Sequence, residues 1–287
     1  MSFEDEVAEY YEDYWPKFVQ WWESDETLGL HHGYYEDGIK NFKEASLNMN
    51  NYIGKLLHLE ENSSMQILDA GCGVGGTSIY LAQKYEKSNF TGVTITPGQI
   101  KLAKSFSKQR NAHNTEFLLQ NFLDTKFPDN SFNGIISLES IAYVQNVEDF
   151  IGEMHRVLIP GGRLVIIDGF YNILPKHLAM KKINKYLCKA REISQIFLLD
   201  DLNKLLVKQG FGQIEINNIT KNIRPSATRA FIIGLPFLIS LIIKKCLSFG
   251  RYKPEKDFNL FMGGSVLSSI VGLSGSAGYY AITAVRK

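Results

Sequence analysis

An α/β fold built on a doubly wound, mostly parallel sheet is the fold class this sequence predicts, and three observations predict it. From residue 65, short apolar runs of strand length alternate with segments of helical pattern. The runs are apolar on both alternating faces, as expected for strands covered by helices on each side. A glycine-rich turn joins the first run to the helix behind it.

Residues 1–58 read as a helical, aromatic cap. Tyr10, Tyr11, Tyr14, Trp15, Phe18, Trp21 and Trp22 fall close together there. They form either a packing stripe or a cover over a ligand, and one cap can serve both ends. Within it, Leu28-Gly-Leu-His-His-Gly-Tyr-Tyr35 is a loop, because glycines flank the histidines. Residues 59–170 read as the core. Met65–Asp69 is the first strand, followed by the glycine turn and a helix over Thr77–Lys84. Phe90–Thr94 is the second strand, and Pro97 opens a helix to Asn111. Thr115–Leu119 and Phe132–Leu138 are the third and fourth strands. Val147–Leu158 is a helix that stops before Pro160-Gly-Gly162, and Arg163–Asp168 is the fifth strand. Residues 171–287 complete the sheet. They hold mixed helix over 171–208, a strand near Gln213–Asn217 and a last strand over Tyr279–Val285. The stretch 220–278 is too long for a plain loop and reads as a lid insertion.

Composition narrows the function. The chain has 287 residues, 45% of them hydrophobic, which is enough for a sizeable core. Its 31 basic and 30 acidic residues leave a net charge of +1, so the basic field of a nucleic-acid enzyme is missing. Cys72, Cys188 and Cys246 are widely spaced and form no CxxC pair. That argues for a reducing, cytoplasmic setting and against a structural metal or disulfide frame. The acidic start Met1-Ser-Phe-Glu-Asp-Glu6 does not read as a signal peptide. Ala230–Ile243 is a run of 14 mostly apolar residues with Lys244 and Lys245 behind it. A spanning helix needs about 20 apolar residues, so a lid or a helix dipping into a membrane surface is expected.

The chemistry gathers at Asp69-Ala-Gly-Cys-Gly-Val-Gly-Gly76. A strand that ends in Asp69 and turns through Gly71, Gly73 and Gly75 into a helix lets backbone approach a ligand closely at a helix N-terminus. Alone, this pattern also fits a dinucleotide site.

The company it keeps decides between them. Ile67–Gly76 resembles motif I of class I S-adenosylmethionine methyltransferases, which implies a Rossmann-like, seven-stranded sheet. Gly92-Val-Thr-Ile-Thr-Pro-Gly-Gln99 is similar to the G-x-T-x-S-x-x-Q strand of one subgroup. That subgroup contains sterol and tocopherol C-methyltransferases, cyclopropane fatty-acid synthases and some sugar O-methyltransferases. The resemblance implies that Thr94 and Gln99 hold the cofactor ribose in place of the usual carboxylate. It gives the adenine to Asn121, where the family has Asp, with Phe122 stacking beside it. Leu138-Glu-Ser-Ile-Ala-Tyr143 resembles the family's L-E-S-x-x-H, and Met154–Gly162 its R-V-L-x-P-G-G turn. Tyr34, in Gly-Tyr-Tyr-Glu-Asp, matches the loop tyrosine that reaches the cofactor's carboxylate end.

Methyl transfer aligns nucleophile, methyl and sulfur, excludes water and sometimes needs a base. Catalytic candidates are therefore groups at the C-terminal strand ends and on the cap loop: Glu139, Asp168, Tyr143, His31 and His32. Glu139 is a candidate for cofactor contact as well. Cys72 reads as packing. No metal set is expected. The expected partner is a lipophilic small molecule, because aromatic cap and apolar lid suit a lined apolar pocket. C-methylation of a prenyl, sterol-like or prenylated aromatic acceptor leads. O- or N-methylation of a small natural product is the alternative, and cyclopropanation of membrane lipids a third. A cofactor-binding protein without catalysis is the reading from another class. The apolar run is the candidate for peripheral membrane contact.

Overall fold

The protein is described here from a computed structural model, which describes residues 5–8, 15, 19, 22, 24–248 and 258–287. Of the aromatic cap, Tyr10, Tyr11, Tyr14, Phe18 and Trp21 lie outside the described residues.

Seven strands form one sheet. They are β1 (Gln66–Ala70), β2 (Asn89–Thr94), β3 (Thr115–Leu119), β4 (Phe132–Leu138), β5 (Leu158–Tyr171), β6 (Phe211–Asn218) and β7 (Ala277–Arg286). Their order is β3-β2-β1-β4-β5-β7-β6. The first five are parallel, and β7 runs antiparallel between β5 and β6. The pleat sends alternate residues to opposite layers. Ile67, Phe90, Phe117 and Ile136 enter one core, with Met49, Ile79 and Ala103 from covering helices. Leu68, Val93, Ile135 and Leu164 enter the other, with Phe150, Met154 and Leu202. Both faces are dry, which is why the core strands read as continuous apolar runs.

The helices start where the local chemistry caps them. Asn41 accepts the Glu44 amide at 2.9 Å and opens α1 (Phe42–Leu56). The glycine turn opens α2 (Gly76–Lys84), and Pro97 stands in the first turn of α3 (Pro97–Gln109). Asn146 caps α4 (Val147–Val157). Two helices follow β5, α5 (Leu178–Arg191) and α6 (Leu199–Lys208).

Two expectations need correction. The fifth strand begins at Leu158, not Arg163, because its first residues carry an irregular register past Pro160-Gly-Gly162 before regular pairing with β4 at Gly134. The apolar run is not a separate 14-residue piece. It lies inside α7 (Thr220–Leu247), 28 residues long with Pro225 and Pro236 within it. Its Gly234 is not a breaker but a close-packing site. A Cβ there would stand 2.4 Å from the Met262 carbonyl on α8 (Phe258–Leu273). By length and composition, α7 is long and apolar enough to cross a membrane.

The chain reverses direction across the sheet between β1 and β4. Ligands in open α/β sheets bind at such a point, outside the C-terminal strand ends. The loops after Ala70, Thr94, Leu119, Leu138 and Tyr171 all leave that edge.

Candidate active site

Two cavities meet at the switch point. The smaller, about 170 Å³, runs along the glycine turn and the ends of β1, β2 and β3. The larger, about 480 Å³, lies between the β4 and β5 ends, α5, α7, α8 and the start of β7. Leu30, Glu139, Tyr143 and Arg191 line both and mark the junction.

The smaller cavity holds most of the residues expected at a nucleotide-like ligand. The three glycines differ in what they face. A Cβ on Gly71 would meet Ser140 at 2.6 Å, and one on Gly75 would meet the Phe117 ring at 2.6 Å. Those two are fixed by protein packing, and Gly75 turns toward the core, not the cavity. Gly73 has φ +54, and a Cβ there meets nothing closer than Leu30 Cδ1 at 3.5 Å. It is the glycine that leaves space for a ligand. Asp69 is buried, and its Oδ2 accepts from Ser78 at 2.6 Å. Burial pushes its carboxyl up to about 6, against the pull of that bond.

At one side, Thr94 Oγ1 donates to Gln99 Oε1 at 2.7 Å, both buried. The bond spends the Thr94 proton and fixes the amide, so Gln99 Nε2 is left to donate. That nitrogen lies 4.0 Å from where a Gly73 Cβ would stand. Asn121 Oδ1 accepts the Leu123 amide at 2.9 Å and keeps a second lone pair for another donor. Phe122 lies edge-on to Phe150 and 3.5 Å from the Gly71 Cβ position. Cys72 packs against Gly92. Burial, then the Asp69 charge, raise its thiol well above its ordinary value, so it is no nucleophile.

Tyr34 borders neither cavity. Its ring stacks on Tyr52 at 4.3 Å, and its amide and carbonyl bond Ala45 and Asn48 on α1. It pins the cap loop to that helix, and the reach to the cofactor expected of it is not met by this placement.

Neighbouring histidines go to different cavities. His31 lines the smaller one. Its Nδ1 donates to the His32 carbonyl at 3.0 Å, and Nε2 is buried without a partner. His32 lines the larger one, with its Nδ1 3.2 Å from Ser226 Oγ. That buried hydroxyl also accepts from the Gly33 amide. Burial lowers both imidazoles, so both are neutral at pH 7.

Glu139 sits just past β4 with φ +50, a strained conformation for this residue. Its Oε1 accepts the His32 amide at 2.7 Å and the Tyr279 hydroxyl at 2.5 Å. Asp168, at the outer part of β5, is buried. Oδ1 accepts the Gly169 amide at 2.7 Å, and Oδ2 has no partner in bonding geometry among the described residues. Burial first, then the Glu139 charge, push its carboxyl up to about 7. The backbone amides of Gly169, Ala142 and Ile141 oppose this. A carboxyl that titrates near neutrality in an apolar cavity is suited to general acid–base work.

Asp168 also couples pH to stability. Its folded value of about 7 lies above the unfolded value near 3.8. The folded state thus holds the proton more tightly, and stability falls as pH rises from about 4 to about 7. In Asp168→Asn that fall shrinks by a few kcal/mol, on the order of three units at about 1.4 kcal/mol each. Urea unfolding of both proteins at pH 4 and pH 8 measures it.

Tyr279, Arg191 and Ser226 escape a reading of the sequence. Nothing local separates Tyr279 from Tyr280. Alternation alone puts the first beside His32 and Glu139 and the second against Phe170. Arg191 donates to Ser265 at 2.8 Å and stacks 5.0 Å from the Phe261 ring. Its role depends on α8, which is distant in sequence. By contrast, the matched Arg156 is structural: it ties Glu153, Asp129 and the Phe127 carbonyl together below the sheet.

Over residues 61–219 the chain matches the model of a family described as a methyltransferase domain. The chain belongs to the class I S-adenosylmethionine-dependent methyltransferases. It is 31% identical over 202 residues to O-methyltransferase cnsE of Penicillium expansum, covering 69% of this chain and 70% of that one. It is 28% identical over 212 residues to chloroplastic tocopherol O-methyltransferase of Arabidopsis thaliana, covering 68% of this chain and 61% of that one. In fold it is similar to the cyclopropane synthase MmaA2 of Mycobacterium tuberculosis, with a TM-score of 0.78, 19% identity and 100% and 99% of the two chains covered. This methyltransferase uses S-adenosylmethionine, and the smaller cavity fits it. Its glycine edge leaves space at Gly73, and Gln99 and Asn121 present a free donor and a free acceptor along its length.

Proposed function

We propose that the enzyme transfers a methyl group to a lipophilic aromatic acceptor that carries an ionisable hydroxyl, of the prenylated phenol kind. One observation carries the reading. Asp168, whose Oδ2 is buried without a partner in bonding geometry and whose affinity for protons lies near neutrality, lines the large cavity that is otherwise mainly apolar. A lipophile gains by burying apolar surface there. A phenol loses its proton to Asp168, and the phenolate is nucleophilic at oxygen and at ring carbons. One base therefore serves either O- or C-methylation, and the acceptor's orientation selects the atom. The similarity to tocopherol O-methyltransferase favours a phenol with an isoprenoid tail.

Bound S-adenosylmethionine supplies a methyl on a sulfonium, electrophilic without further activation. The chain's residues do the rest. Gly71, Gly73 and Asp69 line the turn against which the cofactor lies, with Gly75 shaping that turn from the core side. Gln99, oriented by Thr94, donates to the ribose, and Asn121 and Phe122 hold the adenine. His31 walls this cavity from the cap side. Glu139 fixes the cap loop through the His32 amide and is held by Tyr279, so the junction is closed to water when the acceptor is in place. Tyr143 stands at the junction and positions the acceptor's polar end together with the His32 imidazole. Helices α7 and α8 act as the lid over the acceptor, with Trp22, Phe231 and Phe261 facing it.

An assay of labelled methyl transfer from S-adenosylmethionine to a panel tests this. Prenylated phenols are turned over, and their methyl ethers, which lack the proton, are not. Equal transfer to simple prenyl alkenes would overturn the base reading and favour attack by an alkene. Gln99→Ala weakens cofactor binding by about one hydrogen bond, 0.5–1.5 kcal/mol, or roughly 2- to 12-fold in Kd. Titration calorimetry with S-adenosylhomocysteine measures it, and an unchanged Kd would move the ribose contact elsewhere.

A further inference from the structure

Helix α7 is apolar on the wrong side for a water-facing helix. Of its most apolar 18-residue window, only 11% is buried. At 3.6 residues per turn, Ile232, Leu235, Ile239, Ile242, Ile243 and Leu247 fall within one arc of about 140°. All six are exposed. The opposite arc, with Ile223, Ser226, Ala230 and Gly234, is buried. So the helix has an inner face that covers the acceptor cavity and an outer apolar face with nothing of this chain upon it among the described residues.

The patch continues beyond α7. Leu273, at the end of α8, is 81% exposed and also lines the acceptor cavity, so it marks a mouth. The Asn172 and Ile173 amides both donate to the Ser276 carbonyl, which brings exposed Ile173 and Leu174 beside that mouth. At the other end, Lys245 Nζ lies 6.0 Å from the Tyr186 ring and joins the end of α7 to α5.

Among the described residues, the charges carried by α5 and α7 have one sign. No Asp or Glu occurs from Gly169 to Arg191 or from Ile219 to Ser248. Lys176, Lys181, Lys182, Lys185 and Lys245 are exposed there, in a chain whose net charge is only +1.

We propose that this face docks on an anionic lipid bilayer, and that the acceptor enters the larger cavity from the bilayer at the Leu273 mouth. An apolar stripe bordered by lysines matches acyl chains bordered by anionic headgroups. A second copy is a poor occupant, because a twofold contact would set the same lysines against each other. A spanning arrangement is disfavoured, since α7 leaving the domain would strip one wall from the cavity. The loading route rests on the reading of the acceptor as a lipophile, but docking is measured without turnover, so the two fail separately.

The test is flotation of the full chain with vesicles of phosphatidylcholine plus phosphatidylglycerol and with phosphatidylcholine alone. The wild type floats with the anionic vesicles, is released by high salt, and partitions at least about tenfold less to neutral ones. Ile239→Asp/Ile243→Asp, outside both cavities, loses flotation while its affinity for S-adenosylhomocysteine and its turnover of detergent-dispersed acceptor stay unchanged. Lys182→Glu/Lys185→Glu weakens flotation without exposing or burying apolar surface. Three results would overturn the proposal: no flotation, flotation indifferent to lipid charge, or a dimer without vesicles that Ile239→Asp/Ile243→Asp dissociates. Retention on membranes through high salt and alkali would replace docking by spanning.

Discussion

Asp168→Asn lowers kcat for a phenolic acceptor by about 10²–10⁴-fold, the range for removal of a positioned base. The substitution is nearly isosteric, so Oδ1 still accepts the Gly169 amide and the cavity keeps its shape. KM and cofactor affinity therefore move little, and the loss appears in the chemical step. The sign of the pH dependence follows from the same group. Burial and the Glu139 charge hold its carboxyl near 7, and only the ionised form accepts a proton. The wild-type rate rises with pH through about 7 and then levels. Burial lowers the His32 imidazole from its ordinary 6.5, so a limb from that group lies at lower pH than the one from Asp168.

Gly73→Val abolishes cofactor binding, with Kd raised by more than about 100-fold, or roughly 2.7 kcal/mol. Two costs combine. A β-branched residue at φ +54 is strained by about 1–3 kcal/mol, and its side chain fills the space beside Gln99 Nε2. Gly71 and Gly75 make poor substitutes for this experiment. A side chain there meets Ser140 or Phe117, and loss of folding would mimic loss of binding. Thermal melting separates the cases: Gly73→Val stays folded, since the nearest atoms to its Cβ position, Leu30 Cδ1 at 3.5 Å and Gln99 Nε2 at 4.0 Å, are in ordinary contact. Calorimetry with S-adenosylhomocysteine reads the affinity.

The contrast among these glycines shows how far the sequence can be read. Their spacing announced a ligand turn, but the faces they present depend on Ser140 and Phe117, which arrive from other strands. Strands β1 to β5 were legible because burial on both faces leaves a local, continuous apolar signal. Thr94 and Gln99 were legible as a pair because five residues separate them across one turn. Tyr34 was not, because an aromatic loop residue packs with whichever ring the fold supplies, and here that ring is Tyr52. The acceptor cavity was the least legible part. Its walls come from residues 22 to 279 with no shared period, and Tyr279 enters only through the antiparallel register of β7 against β5. Helix α7 was read too short because only its apolar stretch, between Arg229 and Lys244, was counted, whereas the helix runs through polar residues at both ends. Packing against α8 explains Gly234, and Pro236 sits on the exposed side, where a missing amide bond costs least.

The account is tested most directly by single-turnover methyl transfer to a prenylated phenol, followed from pH 5 to pH 9 in wild type and Asp168→Asn. It predicts a wild-type rate that climbs through about pH 7 and a variant rate that is low and lacks that limb. A variant that keeps the wild-type rate and its limb would contradict it, and would place the proton's acceptor outside Asp168.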